Sequence, residues 1–305
     1  MTAKPPIAIT GATGFVGQAV LDEAARRGGA VRALARAERA DPDHVTWVQG
    51  DLAKAPALAE LCEGAQAVIH IAGAVNLPTR AEFAAVNIAG TQAVVDAARA
   101  AGVRRFVHVS SLAAREPGLS DYGWSKRMGE EVVQVSGLDW TIVRPPAIYG
   151  PRDREILELF RAARWRVLPL PPAGRASMIH VDDLARLLLD LVPAEASSQR
   201  IYEPDDAHPG GWAHDELAQM IGAAVGRRVW APHVPRAVLM AAARLDRKAR
   251  GARAKLTPDR ASYMSHPNWV SDPARAVPAE LWKPQIATAQ GIGSAAIWYR
   301  NAGWL

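Results

Sequence analysis

Tyr122 and Lys126 stand four residues apart in Tyr122-Gly-Trp-Ser-Lys126, a spacing that puts both on one face of a helix. A phenol with an ordinary pKa of about 10 is a poor base at neutral pH, but a neighbouring ammonium stabilises the phenolate. Such a pair can pass a proton to or from a carbonyl or alcohol oxygen while a hydride moves at the adjoining carbon. Ser111, just beyond the strand-like run Phe106–Val109, is placed to hydrogen-bond the same oxygen. Taken alone, a Tyr–Lys pair at this spacing is an ordinary surface pair. It becomes a candidate acid/base because it lies downstream of a glycine loop and after the strand-end pair Ser110-Ser111.

The glycine loop is Thr10-Gly-Ala-Thr-Gly-Phe-Val-Gly17. It follows a short apolar run, Ile7–Thr10, and opens a helix-like segment, Gln18–Arg27. Gly11, Gly14 and Gly17 suit a tight turn, close backbone approach to a pyrophosphate and helix–strand packing, with Thr13, Phe15 and Val16 between them. The helix N-terminus would offer free N–H groups and a positive dipole to the phosphates. The second strand, Val31-Arg-Ala-Leu-Ala-Arg36, has Ala35 where an NAD enzyme usually carries an acid. Arg32 and Arg36 can instead pair with a 2′-phosphate. NADP(H) is therefore the preferred cofactor, with NAD(H) as the alternative. Asp51, in Gly50-Asp51-Leu52 after the third strand, is expected against the adenine amino group, with Leu52 beside it. No metal is expected.

These groups need a scaffold, and the first half of the chain supplies one. Strand-like Ile7–Thr10, Val31–Leu34, Thr46–Val48, Val68–Ile71 and Phe106–Val109 alternate with helical stretches, clearest at Phe83–Ala101. This alternation predicts an α/β fold with a doubly wound parallel sheet of the Rossmann type and a smaller C-terminal lobe. Prolines from 145 to 172 break the pattern, and Met178–Leu191 with Arg200–Tyr202 read as a return to the main sheet. The expected division is a dinucleotide-binding domain over 1–172, rejoined by 178–202, and mainly a substrate-binding lobe over 203–305. At 305 residues, 49% apolar and 22% charged, the chain can bury a proper core and is not disordered. The single cysteine, Cys62, excludes a disulfide scaffold and a cysteine-ligated zinc site, and suits a reducing compartment. No run approaches the length of a membrane span, and the start lacks a signal-peptide apolar region. The reading is a cytoplasmic protein, with a peripheral position at the inner membrane face as a further option. The net charge of +5 is spread along the chain, without a nucleic-acid signature.

Together these motifs resemble the extended short-chain dehydrogenase/reductase family, which includes the NAD-dependent epimerase/dehydratases. The resemblance runs nearly end to end. Besides those above it rests on His70-Ile-Ala-Gly73, Asn87-Ile-Ala-Gly-Thr91, Arg144-Pro145 with Tyr149-Gly-Pro151, Ile179-His-Val-Asp-Asp-Leu-Ala185 and the closing Trp298–Leu305. It implies that Tyr122 is the acid/base, that Lys126 lowers its pKa and bonds the nicotinamide ribose, and that Ser111 binds the substrate oxygen. It further implies that Ala72 and Gly73 form the loop beside the cofactor, that Asn87 braces the site, and that Pro145 and Pro146 line the nicotinamide end. His70, His180 and Asp182 are expected to be structural.

Nucleotide-sugar members carry an Asn after the strand-six arginine, where this chain has Arg144-Pro-Pro-Ala147. They also favour an Arg where this chain has Ala176, with Arg175 adjacent. These departures, and the short loop from Ser111 to Tyr122, resemble the branch of the respiratory complex I accessory subunit and the bacterial ceramide reductases. The resemblance thus implies an NADPH-dependent ketone reductase or alcohol dehydrogenase for an apolar, lipid-like substrate such as an oxidised ceramide. Two alternatives stay open: a nucleotide-sugar epimerase or dehydratase with tightly bound NAD(P), and a nucleotide-binding assembly protein without chemistry. Val234–Leu245 is an apolar helix candidate followed by Arg247, Lys248, Arg250, Arg253 and Lys255, which admits a membrane contact or a packed helix with a solvated end. Trp212, Trp230, Trp269 and Trp282 are expected to line an apolar pocket or build the lobe. A homodimer is a further option.

Overall fold

Ile7–Thr10, Ala67–His70 and Arg105–Val109 are buried at every position, as strands covered on both faces must be. The computed structural model describes residues 5–39, 44–251 and 254–305. In chain order the first elements are β1 (Ile7–Thr10), α1 (Phe15–Arg26), β2 (Val31–Ala35), β3 (Val45–Gln49), α2 (Ala55–Cys62) and β4 (Ala67–His70). There follow α3 (Arg80–Phe83), a π-helical stretch (Ala84–Ala89), α4 (Gly90–Ala100), β5 (Arg105–Val109), α5 (Asp121–Gln134) and β6 (Asp139–Val143). Then come β7 (Ala147–Tyr149), α6 (Leu157–Arg164), β8 (Arg175–Ala176), β9 (Met178–His180), α7 (Val181–Asp190) and β10 (Arg200–Tyr202). The chain closes with β11 (Trp212–Ala213), α8 (His214–Ala224), α9 (Arg236–Arg250), α10 (Pro258–Met264), β12 (Asn268–Trp269) and α11 (Thr288–Asn301).

Seven strands form one parallel sheet in the order β10-β6-β5-β4-β1-β2-β3. The order reverses beside β1, whose neighbours are β4 and β2. Ligands of open α/β sheets bind at such a switch point, outside the carboxyl ends of the strands. Both loops expected to hold a dinucleotide, after β1 and after β4, leave from this point. Under the sheet lies a core that includes Val68, Phe106 and Ile142 from the strands with Leu58, Leu61, Val94 and Val133 from the helices. Cys62 belongs to this core, and burial pushes its thiol up to about 11, so it packs as an unreactive apolar group.

The structure divides the chain differently from the expected ranges. One compact unit comprises 1–144, 184–202 and 277–283; the other comprises 145–183, 203–276 and 284–305. The second unit thus begins at Pro145, not after residue 172. β10 joins the main sheet as expected, but β9 pairs with β7 instead. The reason is that β10 already occupies the place beside β6, in register Arg200↔Thr141 to Tyr202↔Val143. The second unit has its own core, in which Tyr149, Phe160, Leu168, Ile221 and Tyr299 are buried. Trp269 is buried beside Tyr263 and His266 in the same unit, whereas Trp230 is 69% exposed and does not line a core. Arg247, Lys248 and Arg250 lie within α9, while Arg253 falls outside the described residues.

Candidate active site

The glycine loop is shaped by backbone contacts that leave no room for side chains. Gly11 has φ +76°, and a Cβ there would lie 2.6 Å from the Ala72 amide nitrogen. At Gly17 it would lie 2.2 Å from the Gly11 carbonyl oxygen. Neither neighbour can move aside, since both are main chain. Gly14 is the N-cap of α1 and is exposed; α1 has neither a side-chain cap nor an acid in its first turn. Its first amides therefore point, with the helix dipole, toward any anion seated on the loop. Thr13, Phe15 and Val16 are half-buried around it, with the Thr13 carbonyl accepting from Gln18 Nε2 at 3.0 Å. The Asp51 carboxylate accepts from the Ala53 amide at 2.9 Å, and Leu52 packs where a Cβ on Gly90 would reach within 2.7 Å of it. A tight cradle with an uncapped helix start fits a dinucleotide.

The two arginines separate. Arg36 follows the end of β2 and is exposed. Arg32, four residues earlier, donates from Nη1 to the Glu60 and Glu63 carbonyls. It therefore caps the C-terminal end of α2 and is not placed with the cofactor residues. Position along β2 explains this: Arg32 leaves the strand near its start, beside the end of α2, whereas Arg36 lies beyond its carboxyl end.

Tyr122 and Lys126 lie one turn apart on α5, as expected. Ser120 caps this helix by accepting from the Gly123 amide at 2.9 Å. A Cβ on Gly123 would come within 2.7 Å of the Ala113 carbonyl, so glycine after Tyr122 lets α5 seat against the 3₁₀ turn Leu112–Arg115. That turn is capped by Ser111, whose Oγ accepts from the Ala113 amide at 3.2 Å. The Ser111 and Tyr122 hydroxyls are hydrogen-bonded to each other. Two hydroxyls thus converge where a carbonyl oxygen can accept from both. Burial pushes the Tyr122 phenol up, and the bond with Ser111 only partly offsets this. Lys126 does not reverse that direction here: its Nζ donates to the Val109 carbonyl at 2.7 Å, and burial lowers its own pKa to about 8.

The loop after β4 is braced from several sides. A Cβ on Gly73 would lie 3.2 Å from Asn87 Oδ1 and 3.5 Å from Lys126 Nζ, so the loop, Asn87 and the lysine meet at one point. Asn87 Nδ2 donates to the Ala74 carbonyl at 3.0 Å and to Ser125 Oγ at 2.9 Å, while Oδ1 accepts from the Ala74 amide at 2.8 Å. It sits in the π-helical stretch Ala84–Ala89, a local widening common at functional sites. His70 is the satisfied strand-end histidine expected. Thr91 Oγ1 donates to the Asn87 carbonyl at 2.8 Å, which assigns the remaining contacts. His70 Nε2 then donates to Thr91 Oγ1 at 3.0 Å, and Nδ1 accepts from Thr10 Oγ1 at 2.6 Å. Burial together with the nearby Lys126 charge lowers the His70 pKa to about 3, so it stays neutral. Ala72 completes the link, its amide donating to Thr10 Oγ1 at 3.3 Å.

One group escaped the sequence reading. Glu130, one turn beyond Lys126, is fully buried and accepts from Arg144 Nε at 2.8 Å and Nη2 at 2.6 Å. It also accepts from Ser110 Oγ at 2.5 Å. This forked pair ties α5 to the ends of β5 and β6, and Glu130 favours the charged form of Lys126. The i, i+4, i+8 spacing of Tyr122, Lys126 and Glu130 was the available signal. In the second unit, Pro145 follows Arg144 directly. Arg175 donates to the Gly210 and Gly211 carbonyls at 2.7 and 2.6 Å. Ala147 and Ala176 offer no polar side chain.

Residues 7–203 match the model of the NAD-dependent epimerase/dehydratase family. The chain is 38% identical to a ceramide reductase of Caulobacter vibrioides, with 99% of this chain and 97% of the relative aligned. Among solved structures it resembles gox2253 at a TM-score of 0.79 and 22% identity, covering 99% of this chain and 100% of the other. It likewise resembles MoeE5 in complex with UDP-glucose and NAD, at a TM-score of 0.77 and 20% identity, covering 97% and 99% of the two chains. At these identities the structural likeness establishes the fold. Among the described residues, no helix is long and apolar enough to cross a membrane.

Proposed function

Since this chain belongs to the NAD-dependent epimerase/dehydratase family and is an NAD(P)-dependent oxidoreductase of the extended short-chain type, we propose that it reduces an apolar, lipid-type ketone with NADPH, the nearest chemical description being an oxidised ceramide. The observation that carries the substrate class is the 38% identity to a ceramide reductase over 99% of the chain. The second unit supports it from another side: Arg175, the residue adjacent to the usual diphosphate anchor, is engaged with backbone carbonyls. A nucleotide diphosphate would find little charge-assisted bonding there.

The bound dinucleotide would supply the hydride. The protein's part is to hold the ketone oxygen between Ser111 and Tyr122 and to deliver the Tyr122 proton as charge builds on that oxygen. A phenol held protonated by burial suits reduction. The Lys126 ammonium stabilises the phenolate left behind, and Asn87 fixes the loop against which the lysine sits. The test is incubation with NADPH and a detergent-dispersed long-chain ceramide ketone, then with UDP-glucose, each followed by mass spectrometry of the products. The reading expects the secondary alcohol from the ketone and unchanged UDP-glucose. Converted sugar with untouched ketone would replace this reading with the epimerase/dehydratase one.

Two further outcomes follow from the same residues. Arg36→Ala should raise KM for NADPH on the order of tenfold, as loss of a charge-assisted contact does, and leave KM for NADH nearly unchanged; steady-state kinetics with each cofactor checks this. The reaction should also lose kcat/KM as pH rises past about 8, where Lys126 gives up its proton. Tyr122, displaced upward, remains protonated through that window and adds no limb below it. A pH profile of ketone reduction reads both.

A further inference from the structure

The second unit carries an exposed surface that the catalytic residues do not use. Trp165 is 84% exposed, Trp230 69% and Val167 40%. Val167 and Trp230 face each other across a parallel bridge, held by Leu168 N to Trp230 O and Trp230 N to Arg166 O bonds of 2.9 Å each. Trp230 is thus fixed by this bridge, while Trp165 is the C-cap of α6, its amide donating to the Ala162 carbonyl at 2.9 Å. Alongside them Arg164, Arg166, Arg227 and Arg228 are all exposed, and none has a carboxylate partner among the described residues. Neither 164–170 nor 225–234 contains an Asp or Glu. Arg166 has φ +62° immediately after the cap of α6, a conformation in which glycine is the unstrained choice.

The same ribbon leads into α9 through Val234, whose amide donates to the Leu170 carbonyl at 2.9 Å. Along α9 only Ala243 is buried. Val238 and Leu245 are 56% and 68% exposed and share an outward stripe with exposed Ala242 and Ala249. Lys248, three residues after Leu245, borders the stripe. The lone acid of the helix, Asp246, is held by Arg250 at 3.1 Å.

We propose that this surface docks on an anionic lipid bilayer, with Trp165 and Trp230 seated at headgroup level and the four arginines paired with lipid anions. Amphipathic tryptophans and unneutralised basic residues are the combination that interfaces of this kind select. Charge decides against a second copy of the chain, because a two-fold contact would set these unpaired arginines against their own images. Docking requires no turnover, so it stands or falls separately from the reductase reading.

The experiment is cosedimentation of the full chain with vesicles of phosphatidylglycerol and phosphatidylcholine, and with phosphatidylcholine alone, at low and high salt. The chain should bind the anionic vesicles, release at high salt and leave the neutral ones. Trp165→Ala/Trp230→Ala should weaken binding about tenfold or more, as loss of buried aromatic area implies, with NADPH titration unchanged as proof of folding. Absence of binding to anionic vesicles overturns the proposal, as does equal binding by the double variant. Loss confined to Val238→Ser/Leu245→Ser overturns the assignment to the ribbon. A chain that self-associates without lipid, and becomes monomeric in the tryptophan variant, shows the surface to be a protein interface instead.

Discussion

Tyr122→Phe should lower ketone reduction by roughly 10²- to 10⁴-fold, the span that a positioned general acid contributes. The substitution removes one hydroxyl and little else. The ring packs beside Phe83 with centroids 6.2 Å apart, a contact that phenylalanine keeps, so the unfolding midpoint should barely move. Ser111 would remain as the single donor to the ketone oxygen, able to polarise it but without a phenol to pass the proton on. Since the proton is transferred only as the transition state forms, kcat and kcat/KM should fall together, with NADPH affinity unaffected. Steady-state kinetics with a fluorescence titration of NADPH separates the two. A variant that retained wild-type kcat would show that Tyr122 is not the proton donor.

Glu130→Gln is expected to be the most damaging change remote from the reacting atoms. It leaves Arg144 buried, charged and opposite a neutral amide, where breaking a buried pair costs about 3–5 kcal/mol. Denaturant unfolding measures this directly. The double replacement Glu130→Leu/Arg144→Met should recover much of that loss, since an apolar pair needs no compensation. Activity gives the second readout. Glu130 raises the Lys126 pKa against its burial, so without it the alkaline limb of the pH profile should move below about 8. A brace that merely held α5 in place would alter kcat without moving that limb.

Local features were legible in the sequence. The glycine spacing from Gly11 to Gly17 and the four-residue step from Tyr122 to Lys126 are short-range patterns whose geometry the backbone dictates. The strand and helix alternation up to Val109 likewise marked the parallel sheet. What failed depended on partners distant in sequence. Arg32 looked like a phosphate ligand until the end of α2 presented two free carbonyls to it. Glu130 and Arg144 are joined only because β6 runs beside β5 and under α5. β9 was assigned to the main sheet because its own residues do not record that β10 takes the place beside β6. Trp230 and Trp269 are the same residue type with opposite burial, a difference set by the bridge that turns Trp230 outward.

Hydride tracing tests the reductase directly. The protein is mixed with a long-chain ceramide ketone and NADPH deuterated at the transferring carbon, and the products are analysed by mass spectrometry. Net reduction through Tyr122 predicts one deuterium on the new carbinol carbon, with stoichiometric NADP⁺ and transfer by Tyr122→Phe slowed roughly 10²- to 10⁴-fold. Ketone recovered unlabelled with the cofactor still reduced, from protein that binds NADPH, would contradict it.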